Sequence, residues 1–271
     1  QRSLRLPTGA EVAAIYGSRA GVPLALEVPA GPEEENDAVE LVLQAGPESV
    51  LGVRGTALLE LVAHLGQTSA FQRLRTEEQL GYVVDVHPRR TAGGAWHLSV
   101  AIQGNVLDPA GMQARAEAWL ETFRGEMGAM APREMAEEAT AVAAAYLEKD
   151  RKMGHEVARL WGDICDAAEQ GTGDGARRTR PRFDLRERIA AALTAESEEE
   201  AGRLKEETLA FFDRVLAGGA PERRALVTRV YGKGSAKTYE ENRGKPGILS
   251  DYADVQNLQS YLATLPSAQI P

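Results

Sequence analysis

The chain has 271 residues, of which 43% are hydrophobic and 26% charged, and its formal net charge is −9 at pH 7. This composition is typical of a globular protein of one large or two small domains, the negative charge disfavours a nucleic-acid partner, and no apolar run approaches the roughly 20 residues that span a bilayer. The single cysteine, Cys165, excludes an internal disulfide framework and favours a reducing compartment, so the cytoplasm is the default expectation.

The first elements are predicted from alternation and turn residues. Residues 1–21 show no clear period and are interpreted as a lead-in or linker. Residues 24–28 and 38–44 alternate as β-strands do, and a turn-rich acidic connector separates them. Residues 55–74 are helical in length and apolar on most sides, which predicts a buried helix.

The middle of the chain is predicted to form a β-hairpin and then a run of helices. Residues 82–86 and 96–103 alternate, and residues 88–94 would connect them. Asp108 followed by Pro109 is typical of a helix start, because a carboxylate caps the first turn and proline fits the first helical position. Apolar residues at helical spacing predict helices at 109–130, 132–147, 153–164 and 196–216.

The last third adds a loop, a strand and a closing helix, predicted at 171–182, 225–231 and 248–263. The order β-β-α-β-β-α-α-α-α-β places strands beside strands and helices beside helices. This order indicates an α+β fold, a mixed or antiparallel sheet covered by helices, and not a doubly wound nucleotide-binding fold. We predict one domain over residues 22–264 and a tail at 265–271.

Metal and nucleophile motifs are missing from the sequence. No two of the four histidines, His64, His87, His97 and His155, are three or four residues apart, so the zinc-binding helix motifs do not occur. His87 and His97 could face each other across the hairpin, but zinc needs three or four ligands. We therefore predict no metal in this chain, and we interpret Cys165 as a buried structural residue on an apolar helix stripe.

The segment Phe71-Gln-Arg-Leu-Arg-Thr-Glu-Glu-Gln-Leu-Gly-Tyr-Val-Val84 predicts a helix end followed by a strand. Thr76 and Gln79 have the spacing of a capping box. Gly81 can adopt the left-handed conformation that ends a helical turn. Tyr82 would then begin the strand.

Arg75 and Tyr82 lie on either side of this turn and are therefore predicted to come close and to point the same way. A guanidinium and a phenol together offer charged and neutral donors to a carbonyl or a developing oxyanion. The alternative is structural, with Arg75 paired to Glu77 or Glu78 and Tyr82 packed at the strand edge. Both glutamates are otherwise predicted to be solvated.

The segment and its flanks resemble the fourth domain of the insulin-degrading branch of the inverted-zincin metallopeptidases, peptidase family M16, whose members include insulysin, pitrilysin and nardilysin. The likeness covers residues 22–263 and is most specific in 71–103 and 146–164. The matching features beyond the segment are Pro-Arg-Arg at 88–90, Ile-Gln at 102–103, Arg115-x-Glu117-Ala118, Leu147-Glu-Lys149 and Trp161-Gly-Asp-Ile.

This resemblance implies an M16 (LuxS/MPP-like) half-domain that forms the C-terminal, zinc-free half of a metalloendopeptidase acting on short polypeptides. Zinc would be bound by the N-terminal half, in the same polypeptide, and this chain alone would be inactive. The resemblance assigns Arg75 and Tyr82 to the substrate backbone at the scissile bond. It also allows a homodimer of the complete enzyme. The rival interpretations are a stand-alone, non-catalytic assembly or peptide-binding subunit, and a degenerate relative that keeps the motif for packing.

Overall fold

The computed structural model describes residues 5–16, 24–91, 94–170, 183–245, 247–250 and 256–258. Its strands are β1 (Leu24–Pro29), β2 (Asp37–Pro47), β3 (Val83–Arg90), β4 (Ala95–Gly104), β5 (Ala225–Tyr231) and β6 (Ile248–Leu249). They form one six-stranded sheet in the order β3-β4-β2-β5-β1-β6. β3, β4, β2 and β5 are antiparallel neighbours, whereas β1 is parallel to both β5 and β6. The sheet is therefore mixed.

The helices are α1 (Gly9–Tyr16), α2 (Glu48–Ala70), α3 (Pro109–Ala129), α4 (Pro132–Leu147), α5 (Met153–Gln170), α6 (Leu185–Leu193), α7 (Glu198–Val215) and α8 (Ala236–Asn242). A π-helical turn, Phe71–Glu77, extends α2. Residues of α2, α3, α4, α6 and α7 share one apolar core with β2, β3, β4 and β5. The predicted α+β class is confirmed. No helix in the ranges given above is both long enough and apolar enough to cross a membrane.

The centre of this core follows from strand alternation. Leu41 and Leu43 of β2 lie opposite Val100 and Leu98 of β4, and all four are buried. Because successive side chains of a strand point to opposite faces, the same register puts polar residues on the other face. The ring of Trp119 on α3 stacks on a neighbouring phenylalanine in the helix layer over these strands, at 5.2 Å between centroids.

A smaller apolar cluster covers part of the opposite face. Val12 of α1 packs with Leu24, Leu249 and Leu258. The backbone amide of Leu6 also donates to Oε1 of a β2 glutamine at 2.8 Å. The segment interpreted as a lead-in thus contains a helix that packs on the sheet, while the outer limits of the domain stay predictions.

Most predicted elements are confirmed within a few residues, including the cap of α3, where Asp108 accepts from the amide of Gly111 at 2.7 Å. α2 starts seven residues earlier than predicted because Gly52, at φ 62°, interrupts a first turn that the pattern did not reveal. The short α6, α8 and β6 were not predicted. The prediction of a closing helix at 248–263 is wrong at Ile248–Leu249, because these two residues form a strand that pairs with β1. The predicted loop at 171–182 and the tail at 265–271 lie outside the described residues.

Candidate functional site: the turn between α2 and β3

The turn that carries Arg75 begins where α2 widens into the π-helical turn. The amide of Glu78 donates to the carbonyl of Arg73 at 3.0 Å, and the amide of Leu80 donates to that of Leu74 at 3.0 Å. Leu74 is fully buried and anchors the turn in the core. π-helical turns of this kind are frequent at functional sites because they alter which side chains a helix presents.

The left-handed residue of the turn is Gln79, at φ 53°, and not Gly81. The prediction for Gly81 was therefore wrong in its reason, although the glycine is required. An ideal Cβ on Gly81 would lie 2.0 Å from the carbonyl oxygen of Gln103, and one on Gly104 would lie 2.2 Å from that of Leu80. The two backbones touch here, which fixes the start of β3 against the end of β4.

The predicted capping box is also wrong. The hydroxyl of Thr76 donates backwards to the carbonyl of Phe71 at 3.3 Å, inside the π-helical turn. Its side chain therefore supports the widened helix and does not begin a new one. The wider hydrogen-bond spacing of the π-helical turn brings the carbonyl of Phe71 within reach of the Thr76 hydroxyl. The periodicity of the sequence does not reveal such a widened turn.

Glu78 is the carboxylate that holds the turn to the rest of the domain. It accepts from Nε of Arg115 on α3 at 2.6 Å and from Nε of Arg73 at 2.9 Å. The hydrogen bond from Arg115 holds the pKa of the Glu78 carboxyl below its usual value. The expectation of a solvated Glu78 was wrong, because its side chain is largely covered. Glu77 pairs with Arg73 at 3.0 Å.

Arg75 takes no part in this network. Its guanidinium lies over the ring of Phe71, 4.8 Å from the centroid, and its side chain is exposed. Among the described residues no carboxylate pairs with it, so the alternative pairing with Glu77 or Glu78 does not occur. A cation over an exposed ring gains only about 0.5–1 kcal/mol, which leaves the guanidinium available to a stronger acceptor.

Tyr82 follows the turn and is 59% exposed. Within the described part of the chain, its hydroxyl has no hydrogen-bond partner and it is not hydrogen-bonded to Arg75. Arg75 in the braced turn and Tyr82 just after it thus both present their donors to solvent. That they act on the same ligand stays a prediction.

The histidines do not form a metal site. His64 pairs with Glu138 at 2.9 Å, and His87 lies opposite Ser99 instead of His97. In the part of the chain that the structure describes, no three His, Cys, Asp or Glu side chains are grouped as zinc ligands would be. The residues present here do not fit zinc.

The single cysteine differs from its prediction. Cys165 is half-buried, where the helical pattern predicted a buried structural residue.

The brace around Glu78 could not be found from the sequence. Glu78 follows the π-helical turn and lies 37 residues before Arg115 of α3. The resemblance had already marked Arg115 as part of a matching helix, but a single sequence carries no signal for the pairing itself.

Comparison with known proteins supports the family resemblance that the sequence analysis describes. Residues 61–161 match the family described as "PQQ synthase PqqF-like, C-terminal lobe domain 4". The chain is 25% identical over 236 residues to Insulin-degrading enzyme-like 1, peroxisomal, of Arabidopsis thaliana, covering 87% of this chain and 22% of that protein. It is 29% identical over 195 residues to the insulin-degrading enzyme of Bos taurus, covering 72% and 17%. It is 30% identical over 138 residues to Protease 3 of Escherichia coli K12, covering 51% and 13%.

Among solved structures, the crystal structure of pitrilysin superposes with a TM-score of 0.61 at 22% identity, over 90% of this chain and 23% of that one. This similarity shows the fold. The resemblance to the C-terminal half of the M16 peptidases of the insulysin and pitrilysin type is thus confirmed. The chain spans about a fifth or less of the length of the curated relatives described here.

Proposed function

We propose that this chain is the C-terminal, zinc-free domain of an insulysin-type metalloendopeptidase that degrades short polypeptides. In this proposal Arg75 and Tyr82 bind the peptide backbone at the scissile bond. The observation that carries the proposal is the availability of Arg75, whose neighbouring carboxylates are engaged by other arginines.

Charge supports a role for Arg75 in binding. Arg73 and Arg115 neutralise Glu77 and Glu78, so the positive charge of Arg75 is not cancelled by its sequence neighbours. A guanidinium offers several N–H donors in a fixed plane, which suits a backbone carbonyl and, more strongly, the negative charge that develops on it during hydrolysis. The hydroxyl of Tyr82 would supply a neutral donor to the same oxygen.

Rigidity supports a role in catalysis as well as in binding. The turn is anchored on one side by buried Leu74 and on the other by the backbone contact of Gly81 with Gly104. Donors that are already held in place lose little freedom when the transition state forms, which is the main source of oxyanion stabilisation in enzymes.

The metal belongs to the other half in this proposal. The N-terminal half, in the same polypeptide, would bind zinc and supply the activated water. The residues of this chain would orient the substrate and close the chamber around it. The short polypeptide substrates, a homodimer of the whole enzyme and a cytoplasmic location are parts of the same proposal.

The test is the turnover of a short peptide by the intact enzyme carrying Arg75→Ala or Tyr82→Phe. Loss of an oxyanion donor lowers kcat by about 10²–10³, and we expect an effect of this size for Arg75. Arg133→Ala is the matched control, since Arg133 is a highly exposed arginine on α4. Unchanged turnover in both site variants would reject the assigned roles.

The same variants separate the rival interpretations. A stand-alone peptide-binding subunit would lose affinity for peptide in the Arg75 variant without any enzyme activity to lose. A relative that keeps the motif for packing would lose stability in both variants and show only trace peptide binding, without any effect on a partner's cleavage rate.

A further inference from the structure

Helix α5 has an apolar stripe that faces solvent. Met153, Val157, Trp161 and Ile164 are spaced by four, four and three residues, which puts them on one side of the helix. Their exposed fractions are 81%, 59%, 64% and 40%. By contrast, the tryptophan of α3, Trp119, is 2% exposed. We refer to these four residues as the α5 stripe.

Among the described side chains of α5, the charged side of the helix makes an ionic contact with the rest of the domain. Arg159 donates to Asp150, which lies just before the helix, at 3.0 Å, and Arg186 of α6 approaches the same carboxylate at 3.6 Å. Between residues 153 and 165, where the side chains of α5 are described, none is buried. Arg159 lies on a different side of the helix from the α5 stripe.

This orientation is the reverse of that of an ordinary surface helix, which turns its apolar side inward and its charged side to water. Most helical stability in proteins comes from packing of the apolar face. Four large apolar side chains in one exposed row also exceed the scattered apolar residues of a normal surface, and such patches mark interaction sites. The α5 stripe therefore has the apolar pattern of a buried helix face, but the described part of this domain does not bury it.

We propose that the α5 stripe is the docking surface for another domain of the same, longer polypeptide. This inference rests on the proposed function, in which the chain is one domain of a larger enzyme. The relatives are several times longer than the aligned region, since the chain spans 22%, 17% and 13% of their lengths. The matching family is itself described as domain 4 of a lobe, so further domains accompany it there.

The side chains of the α5 stripe indicate what kind of surface would bind to it. The stripe offers a flexible methionine, two branched aliphatic side chains and a large aromatic ring, with no charge among them. An apolar groove or helix face of the neighbouring domain would bury it, and the tryptophan would act as the central anchor, as such residues do in interfaces. Because the charged side of α5 is already paired within this domain, docking would leave the ion pairs of Asp150 in place.

The test compares amide hydrogen exchange of α5 in this chain alone and in the intact polypeptide. We expect exchange in residues 153–165 to be at least tenfold slower in the intact polypeptide. Val157→Glu in the intact polypeptide should remove that protection. Val106→Glu is the matched control, because Val106 precedes α3, is also 59% exposed and receives the same charge.

Three results would overturn the proposal. Equal exchange of α5 in the two proteins would show that nothing covers the stripe. If protection of α5 in the chain alone rises with protein concentration and the chain sediments as a dimer, a second copy of this chain covers the stripe. If the reading frame encodes no further domain, the partner that the proposal requires does not exist.

The readout does not depend on catalysis, which keeps this inference separable from the proposed function. Arg75→Ala in the intact polypeptide should leave the protection of α5 unchanged. If the Arg75 and Tyr82 variants keep full turnover while Val157→Glu exposes α5, the assigned site roles fail and the docking surface stands. The opposite pattern would reject the docking surface alone.

Discussion

Glu78 and Arg115 form a two-pronged ion pair, in which Nε of Arg115 lies 2.6 Å from Oε2 of Glu78 and Nη2 of the same guanidinium contacts Oε1. The pair joins the end of the π-helical turn to α3. Planar, paired hydrogen bonds of this type fix orientation as well as distance. The pair therefore sets the position of the turn from which Arg75 projects.

The first prediction concerns this pair and has a close internal control. Arg124, also on α3, makes an ion pair of the same geometry with Asp213, with Nε to Oδ1 at 2.6 Å. Arg115→Met and Arg124→Met should each lower the free energy of unfolding by about 1 kcal/mol, since both arginines are partly exposed and solvent screens their pairs. Only Arg115→Met should also lower peptide turnover by the intact enzyme, because only that pair positions Arg75.

Urea unfolding and steady-state kinetics on the two variants provide the measurement. Equal turnover in both would show that the brace contributes stability without positioning the site.

The second prediction concerns the backbone contact at Gly81. Gly81→Ala would place a Cβ 2.0 Å from the carbonyl oxygen of Gln103, so the turn must shift. Overpacking of this kind costs about 1–3 kcal/mol, and we expect a loss of unfolding free energy in that range, measured by urea denaturation. Gly125→Ala is the control, because that helical glycine has open space and alanine favours helices by up to about 1 kcal/mol. A harmless Gly81→Ala would show that the strand start is not held as tightly as the contact implies.

The third prediction is a pH dependence carried by His97, which is buried on the sheet face opposite the main core. Burial lowers the pKa of this imidazole, and the nearby carboxylate of Glu40 opposes the shift only in part. The unfolded chain binds a proton at pH about 6.5, whereas the folded chain resists it, so stability should fall as pH drops below that value.

The measurement is the urea midpoint between pH 8 and 5.5 for the wild type and for His97→Gln. We expect a flatter profile in the variant. His64→Gln, at an exposed histidine paired with Glu138, should retain the slope. A slope unchanged in His97→Gln would assign the pH dependence to other groups.

The fourth prediction is that this chain alone hydrolyses no peptide. The histidine spacings that bind zinc are missing from its sequence, and the described residues contain no grouped ligands. A fluorogenic peptide assay on the purified chain, with and without a chelator, provides the check. Chelator-sensitive hydrolysis by this chain, free of contaminants, would contradict both the prediction and the proposed division of labour.

The sequence determined the elements whose cause is local. Alternation in β2 and β4 and helical spacing in α3 and α4 reflect burial on one face, which a periodic pattern records directly. The Asp108–Pro109 start of α3 was predictable for the same reason, since a cap and its helix are neighbours in the chain. The short α6, α8 and β6 were missed because fewer residues carry each pattern.

The candidate site was decided by contacts between distant parts of the chain. The sequence indicated Arg75, Tyr82 and the need for a glycine at position 81, but it assigned the left-handed conformation to the wrong residue. That assignment depends on the close approach of Leu80 and Gly81 to the end of β4, which is long-range.

Tertiary structure likewise decided which arginine stays available and which helix face stays open. Glu78 pairs with Arg115 and Arg73 because folding brings them within hydrogen-bond distance. The guanidinium of Arg75 lies over the ring of Phe71 instead. The stripe on α5 was visible as a pattern, yet a pattern cannot show whether its apolar side meets this domain or another one. Only the packed structure shows that it faces solvent, because burial is a property of the whole assembly of elements.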